Sequence, residues 1–324
     1  MPEVELKEIR SEITKNKAGW KAADHPLLKL SGAQRTRRLG VIPDERRLAE
    51  LRERPKPNMA EVVAEFRGLR LEGDGDGART RTGRAATRRA EGLELDERII
   101  ETIRQQIRTL PAKVDWRARR RRNNVTPIRD QGGCGSCVSF GTTATLESMV
   151  LIEHNMTFDL SEAELLFCGG GSCGGWWPDS AVTYLLNKGI AHETCFPYQD
   201  HDMPCTTCRG RNGEAIRIRN HVTTFDTAQR KRYLAHVGPV MAVFAVYNDF
   251  FAYSSGVYRH VAGALAGYHC GSVIGYDDTQ QCWICKNSWG AGWGDNGFFR
   301  IGYGECDIDS TYPFWGIGRT QWYA

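Results

Sequence analysis

Two cysteines three residues apart, Cys134 and Cys137, lie in the stretch RDQGGCGSCVSF at 129–140. A C-x-x-C spacing is typical of a metal-ligand pair, of a redox dithiol, or of one structural and one reactive thiol. A zinc site needs two further ligands, which Cys205 and Cys208 could supply, although the glycines around the first pair have no role in a zinc knuckle. A redox motif should follow a strand in a βαβ unit, and none is evident here. The spacing alone leaves these alternatives open.

The two cysteines differ in their predicted local structure. The run CGSCVSFGTTATLESMVLIEHN predicts a long helix that begins at Ser136 or Cys137. Free N–H groups and the positive end of the helix dipole stabilise a thiolate at such a position, so we expect the pKa of Cys137 to lie below the usual ~8.5. Cys134 precedes the helix and lacks this stabilisation. Cys137 is therefore the candidate nucleophile.

A nucleophilic thiol needs a base, and His269 has the setting for one. The segment YHCGSVIGYDDTQQCWICKNSWG predicts two strands joined by a turn at 277–279, and folding it about residue 278 places His269 opposite Asn287. An asparagine oxygen can hold one ring N–H and present the other ring nitrogen to a thiol. A lone histidine in a strand is more often a core residue, but the asparagine and the cysteine favour catalysis.

The elements that must position these groups fall into two halves. Helical patterns dominate from Cys137 to about residue 190, including SEAELLFC, in which Ser161 and Glu164 form a capping-box pattern, and SAVTYLLNKG, which ends at Gly189. After residue 215 the pattern turns to strands. A helical half followed by a sheet-rich half predicts an α+β fold with two lobes.

Taken together, QGGCGSC, YHC and KNSWGAGWGDNGFFRI resemble the papain family of cysteine proteases. His269 follows Cys137 by 132 residues and Asn287 follows it by 150, as in that family's pattern. LPAKVDWR resembles the start of a mature papain-like enzyme, and the stretch 238–270 resembles cathepsin B more than papain. The resemblance covers about 110–324. It implies a helical left lobe at roughly 119–215, a β-barrel-like right lobe at roughly 216–324, and a cleft between them.

The resemblance also assigns roles to residues. Cys137 matches the nucleophile, His269 the general acid/base, and Asn287 the residue that orients the imidazole. Gln131 matches the side-chain donor of the oxyanion hole, with the backbone N–H of Cys137 as the other donor. Trp289 matches the tryptophan that shields the His–Asn hydrogen bond and lines the leaving-group side. Val138, where the family usually has an aromatic residue, and Tyr268, where a small or polar residue is more usual, depart from the pattern.

Substrate-binding residues and disulfides are implied in the same way. CGGWWP at 173–178 resembles the Gly-Gly segment that binds the substrate backbone, with Gly175 on the first glycine and Trp176 on the second. Trp176 then either crowds the cleft or packs elsewhere. Thr311 should lie near the base of the second subsite, with Asp309 close by, which leaves an apolar, mixed or basic preference open. Family spacing suggests two disulfides, Cys134–Cys173 and Cys168–Cys195.

Residues 1–109 contain no cysteine and should form a prosegment. Apolar residues at helical spacing in DERRLAELRERPKPNMAEVVAEFRGLRL are interrupted at Pro55 and Pro57, a Gly/Arg-rich linker is predicted near 72–92, and ELDERIIETIRQQIRTLP predicts an amphipathic helix stopped by Pro111. GWKAADHPLLKLSGAQRTRRLGVIPDE resembles prosegment-like modules that precede some papain-like domains. The chain is thus expected to be a zymogen whose own prosegment is an intramolecular inhibitor.

Composition limits the partners. The net charge of +4 is too small to suggest nucleic acid, and no apolar run approaches the ~20 residues of a membrane span. Eleven cysteines favour an oxidising compartment, secreted or lytic, while no signal peptide is visible at the start. We expect a monomer that acts on protein or peptide substrates, with no metal and no cofactor.

Several activities share this chemistry. An endopeptidase is favoured because the region that would carry the paired histidines of a cathepsin B-like exopeptidase loop, YQDHDMPCTTCRGRNG, is short and has one histidine, His201. The alternatives are an exopeptidase, a transpeptidase or ligase on the same acyl-enzyme, or an inactive papain-like binding module.

Overall fold

A computed structural model describes residues 4–67, 97–119 and 121–322. The helices are α1 (Leu6–Lys15), α2 (Gly32–Thr36), α3 (Glu45–Glu53), α4 (Met59–Phe66), α5 (97–106), α6 (Cys137–His154), α7 (Pro178–Asn187), α8 (Arg211–Glu214) and α9 (Thr227–His236). The strands are β1 (Trp20–Ala22), β2 (Lys113–Asp115), β3 (Ile216–Thr224), β4 (Val240–Tyr247), β5 (Tyr253–Tyr258), β6 (Leu265–Asp277), β7 (Cys282–Lys286), β8 (Phe298–Gly302) and β9 (Phe314–Trp322). The predicted linker near 72–92 lies outside the described residues.

One nine-stranded sheet forms the second lobe, in the order β1-β5-β8-β7-β6-β4-β9-β3, with β2 paired to β6. The strand β4 is rich in valines, alanines and aromatic residues and is almost completely buried, as expected for a central strand. The sheet takes up two strands from outside the predicted range 216–324: β2 from the start of the peptidase region and β1 from the prosegment. The helix α9, which the predicted strand pattern did not include, covers part of this lobe.

The first lobe is built around α6, in which nearly every residue from Cys137 to Leu151 is buried. A helix without a polar face needs neighbours on all sides, and the sheet strands β6 and β9 together with α7 supply them. Ser161 caps the next helical turn by accepting the N–H of Glu164, but the predicted capping box is only half formed, because Ser161 N–H donates to Ala191 O and the Glu164 carboxylate accepts from Ala191 N–H. Gly189 follows α7 in a left-handed conformation with φ +64°.

Three disulfides brace this lobe. The structure joins Cys134 to Cys173, as expected. It joins Cys168 to Cys205 and Cys195 to Cys208, so the expected Cys168–Cys195 pair is wrong. The loop between α7 and α8 folds back over the end of the first lobe and brings a different partner to each cysteine. Local sequence spacing does not determine that path.

The hairpin of β6 and β7 differs from the prediction in register. Asp277 pairs with Cys282 and Ser272 with Lys286, with a bulge between them at Val273 and Gly275. Continued one step, this register places Asn287 opposite residue 271 instead of His269. The two side chains still meet, because residues two positions apart on neighbouring strands lie within reach of long side chains.

The prosegment wraps around both lobes. Its strand β1 pairs with β5, residues 37–44 cross between the lobes, and α3 and α4 are separated by the two prolines as predicted. Buried residues of α4 (Val63, Phe66) and α5 (Ile103) belong to the same apolar cluster as Tyr233 of α9. None of the helices within the described ranges is long and apolar enough to cross a membrane.

Candidate active site

Cys137 is the first residue of α6 and is fully buried. Its sulfur accepts the backbone N–H of Gly40, a prosegment residue, at 3.2 Å. The thiol also lies against the backbone of Cys270, directly after His269 in β6. Burial raises the pKa of Cys137 to about 11, and these backbone hydrogen bonds only partly oppose it. The expectation of a lowered pKa is wrong for this covered form, because desolvation outweighs the helix start.

His269 and Asn287 form a hydrogen bond of 2.8 Å between Nε2 and Oδ1. The same Oδ1 accepts the backbone N–H of Ser288, which identifies this atom as the oxygen of the amide. Because an oxygen can only accept here, Nε2 carries the ring proton and Nδ1 is left as the acceptor. Burial lowers the pKa of His269 to about 4, and the bond to Asn287 opposes this shift. The imidazole is therefore neutral in the covered form.

Trp289 packs on this pair, with its ring centroid 4.8 Å from that of His269. The indole is 3% exposed and stacks on Phe251 at 5.1 Å. A ring in this position keeps water from the His269–Asn287 bond, while the catalytic shielding role of Trp289 stays a prediction. That bond is itself fully inside the protein, since both residues are buried.

Gln131 is held by hydrogen bonds at both ends of its side chain. Its Oε1 accepts from the Ser288 hydroxyl at 2.7 Å, which fixes the amide so that Nε2 points toward the start of α6. Nε2 donates to the carbonyl of Cys134 at 2.8 Å and to the carbonyl of Arg38 at 3.0 Å. The amide that sequence reasoning selected as an oxyanion donor thus already holds a prosegment carbonyl.

Residues 38–42 of the prosegment fill the space between the lobes, and their backbone is held from both sides. The N–H of Trp176 donates to Gly40 O at 2.7 Å, and Ile42 N–H donates back to Trp176 O at 3.3 Å. On the other lobe, Val41 N–H donates to Tyr268 O at 3.3 Å. The two bonds with Trp176 form a short parallel pairing of Val41 with that residue.

Glycines make this close approach possible. A Cβ on Gly40 would lie 1.7 Å from the carbonyl oxygen of Gly135, and one on Gly175 would lie 2.7 Å from that of Gly40. Gly175 also has φ +122°, a conformation that side chains disfavour. Trp176 does not crowd the cleft, because its indole is 7% exposed and lies against Gly169 and Gly171 of its own lobe. Its backbone alone faces the prosegment.

Thr311 is half-buried, and its hydroxyl donates to Asp307. Its carbonyl accepts from Arg52 of α3 at 2.8 Å. The next residue, Tyr312, is 2% exposed and its ring lies 5.8 Å from that of Tyr268. The sequence prediction for the second subsite named Thr311 and did not include Tyr312, which contacts Tyr268. The role of Thr311 stays a prediction.

Three further features of the site are an ion pair, the position of Val138 and the absence of a metal-ligand cluster among the described residues. Arg38 forms an ion pair with Asp130 at 2.9 Å, next to Gln131 in sequence. Val138, the departure from the family pattern, is fully buried in the apolar cluster of the first lobe. Within the part of the chain that the structure describes, there is no cluster of three metal-ligating side chains that could hold an ion.

Comparison with known proteins is consistent across sequence and structure. A profile described as "Papain family cysteine protease" matches residues 110–314. Pro-cathepsin H of Mus musculus is 36% identical over an alignment of 221 residues, which covers 63% of this chain and 65% of that protein. Cysteine proteinase 1 of Entamoeba histolytica is 35% identical over 221 residues, 63% of this chain and 68% of its own. The chain thus spans about two thirds of the length of these curated relatives.

Solved structures share the fold, including the prosegment. Procathepsin B S9 of Trypanosoma congolense superposes with a TM-score of 0.73 at 23% identity, covering 98% of this chain and 99% of its own. A digestive procathepsin L 3 of Tenebrio molitor gives 0.64 at 24%, covering 97% and 87%. The Carica candamarcensis protease CMS1MS2, solved with E-64, gives 0.56 at 29%, covering 64% and 99%. The similarity of 238–270 to cathepsin B in particular stays a prediction.

Proposed function

Because this chain belongs to the papain family of cysteine proteases, which hydrolyse peptide bonds, we propose that it is a cysteine endopeptidase made as a zymogen. The observation that carries the proposal is the oriented His269–Asn287 pair in a cleft where Cys137 and Gln131 both bind the backbone of a peptide segment. A site built to bind backbone, with a thiol and an oriented imidazole at its centre, fits attack on a peptide carbonyl.

The positions of Cys137, His269 and Gln131 suggest the following steps for peptide hydrolysis. His269 Nδ1 takes the thiol proton of Cys137, and the sulfur attacks the carbonyl carbon of the substrate. Gln131 Nε2 and the Cys137 N–H stabilise the oxyanion, each donor contributing a factor of about 10²–10³ in comparable sites. The C–N bond breaks as His269 gives the proton to the leaving amine, which leaves a thioester. Water then attacks the thioester, His269 accepts its proton, and the acid and the free thiol are released.

The prosegment is the proposed inhibitor because it uses the same groups without offering a bond to cleave. Gln131 and Trp176 hold carbonyls of Arg38 and Gly40, but the sulfur of Cys137 faces the N–H of Gly40. The sulfur is thus occupied as a hydrogen-bond acceptor, and the Gln131 donor is occupied by the Arg38 carbonyl. Residues 38–42 therefore block the cleft as a peptide that cannot form the acyl-enzyme.

The path of the prosegment also favours internal cleavage. The chain enters the cleft from α2 and leaves it toward α3, so peptide backbone extends beyond Gly40 in both directions. A cleft that is open at both ends accepts the middle of a substrate. An exopeptidase would need one end closed, which is the discriminating feature of the alternative.

Gly40→Ala tests the inhibitory role in the full chain. Its Cβ would lie 1.7 Å from a backbone oxygen, so residues 38–42 must leave the cleft. We expect faster self-processing and faster alkylation of Cys137 by iodoacetamide at pH 7.5 than in the parent. Gly213→Ala, where a Cβ meets nothing within 4 Å, is the matched control. Equal alkylation rates in all three chains would refute the inhibitory contact.

The peptidase itself is tested after processing, with peptides blocked at both termini. Internal cleavage that disappears in Cys137→Ala supports the endopeptidase. Labelling by E-64 should map to Cys137. If only peptides with a free terminus are cleaved, the protein is an exopeptidase. If no peptide is cleaved although Cys137 reacts, the binding-module alternative replaces the proposal.

A further inference from the structure

The loop that carries both proposed oxyanion donors, residues 131–137, is held by a second loop of the same lobe, residues 198–202. The hydroxyl of Tyr198 donates to the backbone carbonyl of Gln131 at 2.8 Å. It also lies 2.7 Å from the hydroxyl of Ser136, the residue directly before Cys137. Because the phenol has one proton and a carbonyl can only accept it, Ser136 is the donor in the second hydrogen bond. One phenol oxygen thus connects the two ends of the oxyanion loop.

Two carboxylates of the same segment hold the middle of the oxyanion loop. Asp200 Oδ2 accepts the backbone N–H of Gly133 at 3.0 Å. Asp202 Oδ1 accepts the backbone N–H of Cys173 at 2.6 Å, and Cys173 is joined by its disulfide to Cys134 of the oxyanion loop. Residues 198–202 therefore contact the loop by three side chains, directly or through one disulfide.

The segment that makes these contacts is itself fixed. The ring of Tyr198 packs edge to face on Phe140 of α6 at 4.8 Å, and its backbone N–H donates to Glu193 at 2.7 Å. Two disulfides flank the segment, Cys195–Cys208 and Cys168–Cys205. Burial raises the pKa of Tyr198 above its usual value, so the phenol keeps the proton that it donates to Gln131.

We infer that Tyr198 is a positioning residue of the peptidase, whose hydroxyl keeps Gln131 and the start of α6 in the relative position that an oxyanion requires. The inference rests on the proposed function and adds a residue that the sequence prediction did not include. An oxyanion hole acts through donors that are aimed beforehand at the place where the charge develops. Without this hydroxyl, Gln131 keeps its hydrogen bonds to Ser288 but loses its link to Ser136 and hence to the N–H of Cys137.

Tyr198→Phe tests the inference, because it removes the hydroxyl and keeps the ring on Phe140. In the processed protein, kcat/KM for peptides blocked at both termini should fall by about 10-fold, less than the factor of about 10²–10³ expected for Gln131→Ala, which removes a donor. Alkylation of Cys137 by iodoacetamide should stay at the parent rate, because that reaction forms no oxyanion. Tyr184→Phe, which removes a hydroxyl 3.4 Å from Glu164 in the same lobe, is the control that should match the parent in both assays.

A double-mutant cycle separates positioning from a general loss of structure. If Tyr198 acts through the oxyanion donors, the loss caused by Tyr198→Phe should shrink in a Gln131→Ala background, whereas a merely structural effect would be the same in both backgrounds. If the parent cleaves peptides but Tyr198→Phe equals it, or causes an undiminished loss in the Gln131→Ala background, the inference is overturned and the peptidase stands.

A further arm needs no turnover and uses the unprocessed full chain. Gln131 there holds the carbonyl of Arg38, so a displaced Gln131 should loosen residues 38–42. We expect iodoacetamide to alkylate Cys137 faster in Tyr198→Phe than in the parent, and Tyr184→Phe to keep the parent rate. If no peptide is cleaved, the proposed function fails, and equal alkylation rates in the full-length parent and Tyr198→Phe then overturn the inference as well.

Discussion

The carboxyl group of Glu193 should lower the free energy of unfolding as pH rises toward neutrality. Glu193 is half-buried and shares a cavity of about 240 Å³ with Glu162 and Asp159. Burial raises the pKa of Glu193 from 4.5 to about 7, and the hydrogen bond from Tyr198 N–H opposes the shift only in part. Burial also raises the pKa of Glu162 well above its usual value.

The sign follows from the protons bound in each state. Between pH 4.5 and about 7 the folded protein holds a proton on Glu193 that the unfolded chain has released. The associated stability is thus fully present below pH 4.5 and is lost as pH rises through about 7. A shift of this size corresponds to roughly 3 kcal/mol at a dry site. Since the carboxyl is partly in water, screening reduces the expected effect to about 1–2 kcal/mol.

Glu193→Gln isolates this contribution, because Gln keeps the oxygen that accepts Tyr198 N–H and removes the titration. Urea unfolding is measured at pH 4.5, 6.0 and 7.5 in a Cys137→Ala background, which prevents self-digestion. The variant should match the parent at pH 4.5 and gain about 1–2 kcal/mol over it at pH 7.5. A difference that does not change with pH would refute the reasoning. His236→Gln gives a control of opposite sign, since burial lowers the pKa of His236 to about 4 and its stability contribution is lost on acidification.

Two further perturbations test how the lobes and the prosegment are held. Lys286→Met should destabilise the chain by about 3–5 kcal/mol at pH 7.5 in urea unfolding. The Thr126 hydroxyl links the two charged groups, since it accepts from Lys286 Nζ at 3.0 Å and donates to Glu147 at 2.6 Å, so Glu147, 3% exposed, would lose its compensating cation. The double variant with Glu147→Gln should recover most of the loss, and a loss below about 1 kcal/mol would contradict this coupling. Phe66→Ala should weaken the docking of α4 by about 3 kcal/mol, because the Phe66 ring packs edge to face on Tyr233 at 5.4 Å. The loss should appear as faster hydrogen exchange of the α4 amides. Unchanged protection of α4, or an equal effect of the control Ile42→Ala, would show that other contacts hold α4.

Much of the site could be predicted because its signals are local. The start of α6 at Cys137 and the turn after β6 are encoded by residues within a few positions. In the folded chain the thiol lies against the backbone of Cys270, the residue directly after His269. The contact between His269 and Asn287 was predicted from a register that was wrong by two positions, and it survived because both side chains can span that offset.

The errors concern groups whose surroundings come from distant segments. The disulfide partners of Cys168 and Cys195 depend on the path of a long loop, which no periodicity encodes. Trp176 could have faced the cleft or its own lobe, and the choice depends on two glycines at 169 and 171 that leave room for its ring. The pKa of Cys137 depends on a segment almost 100 residues earlier in the chain, because Gly40 covers it.

The dependence of the Cys137 pKa on Gly40 links inhibition by the prosegment to activation. While Gly40 covers the sulfur, burial keeps the pKa of Cys137 at about 11 and that of His269 at about 4, so the thiol is a weak acid, the imidazole is a weak base, and proton transfer between them is unfavourable. Removing the prosegment exposes both to water, which relieves desolvation, the main cause of each shift. The thiol then becomes easier to ionise and the imidazole easier to protonate, both in the direction that proton transfer between them requires. One displacement in the proposed enzyme would therefore open the binding cleft and activate its nucleophile together.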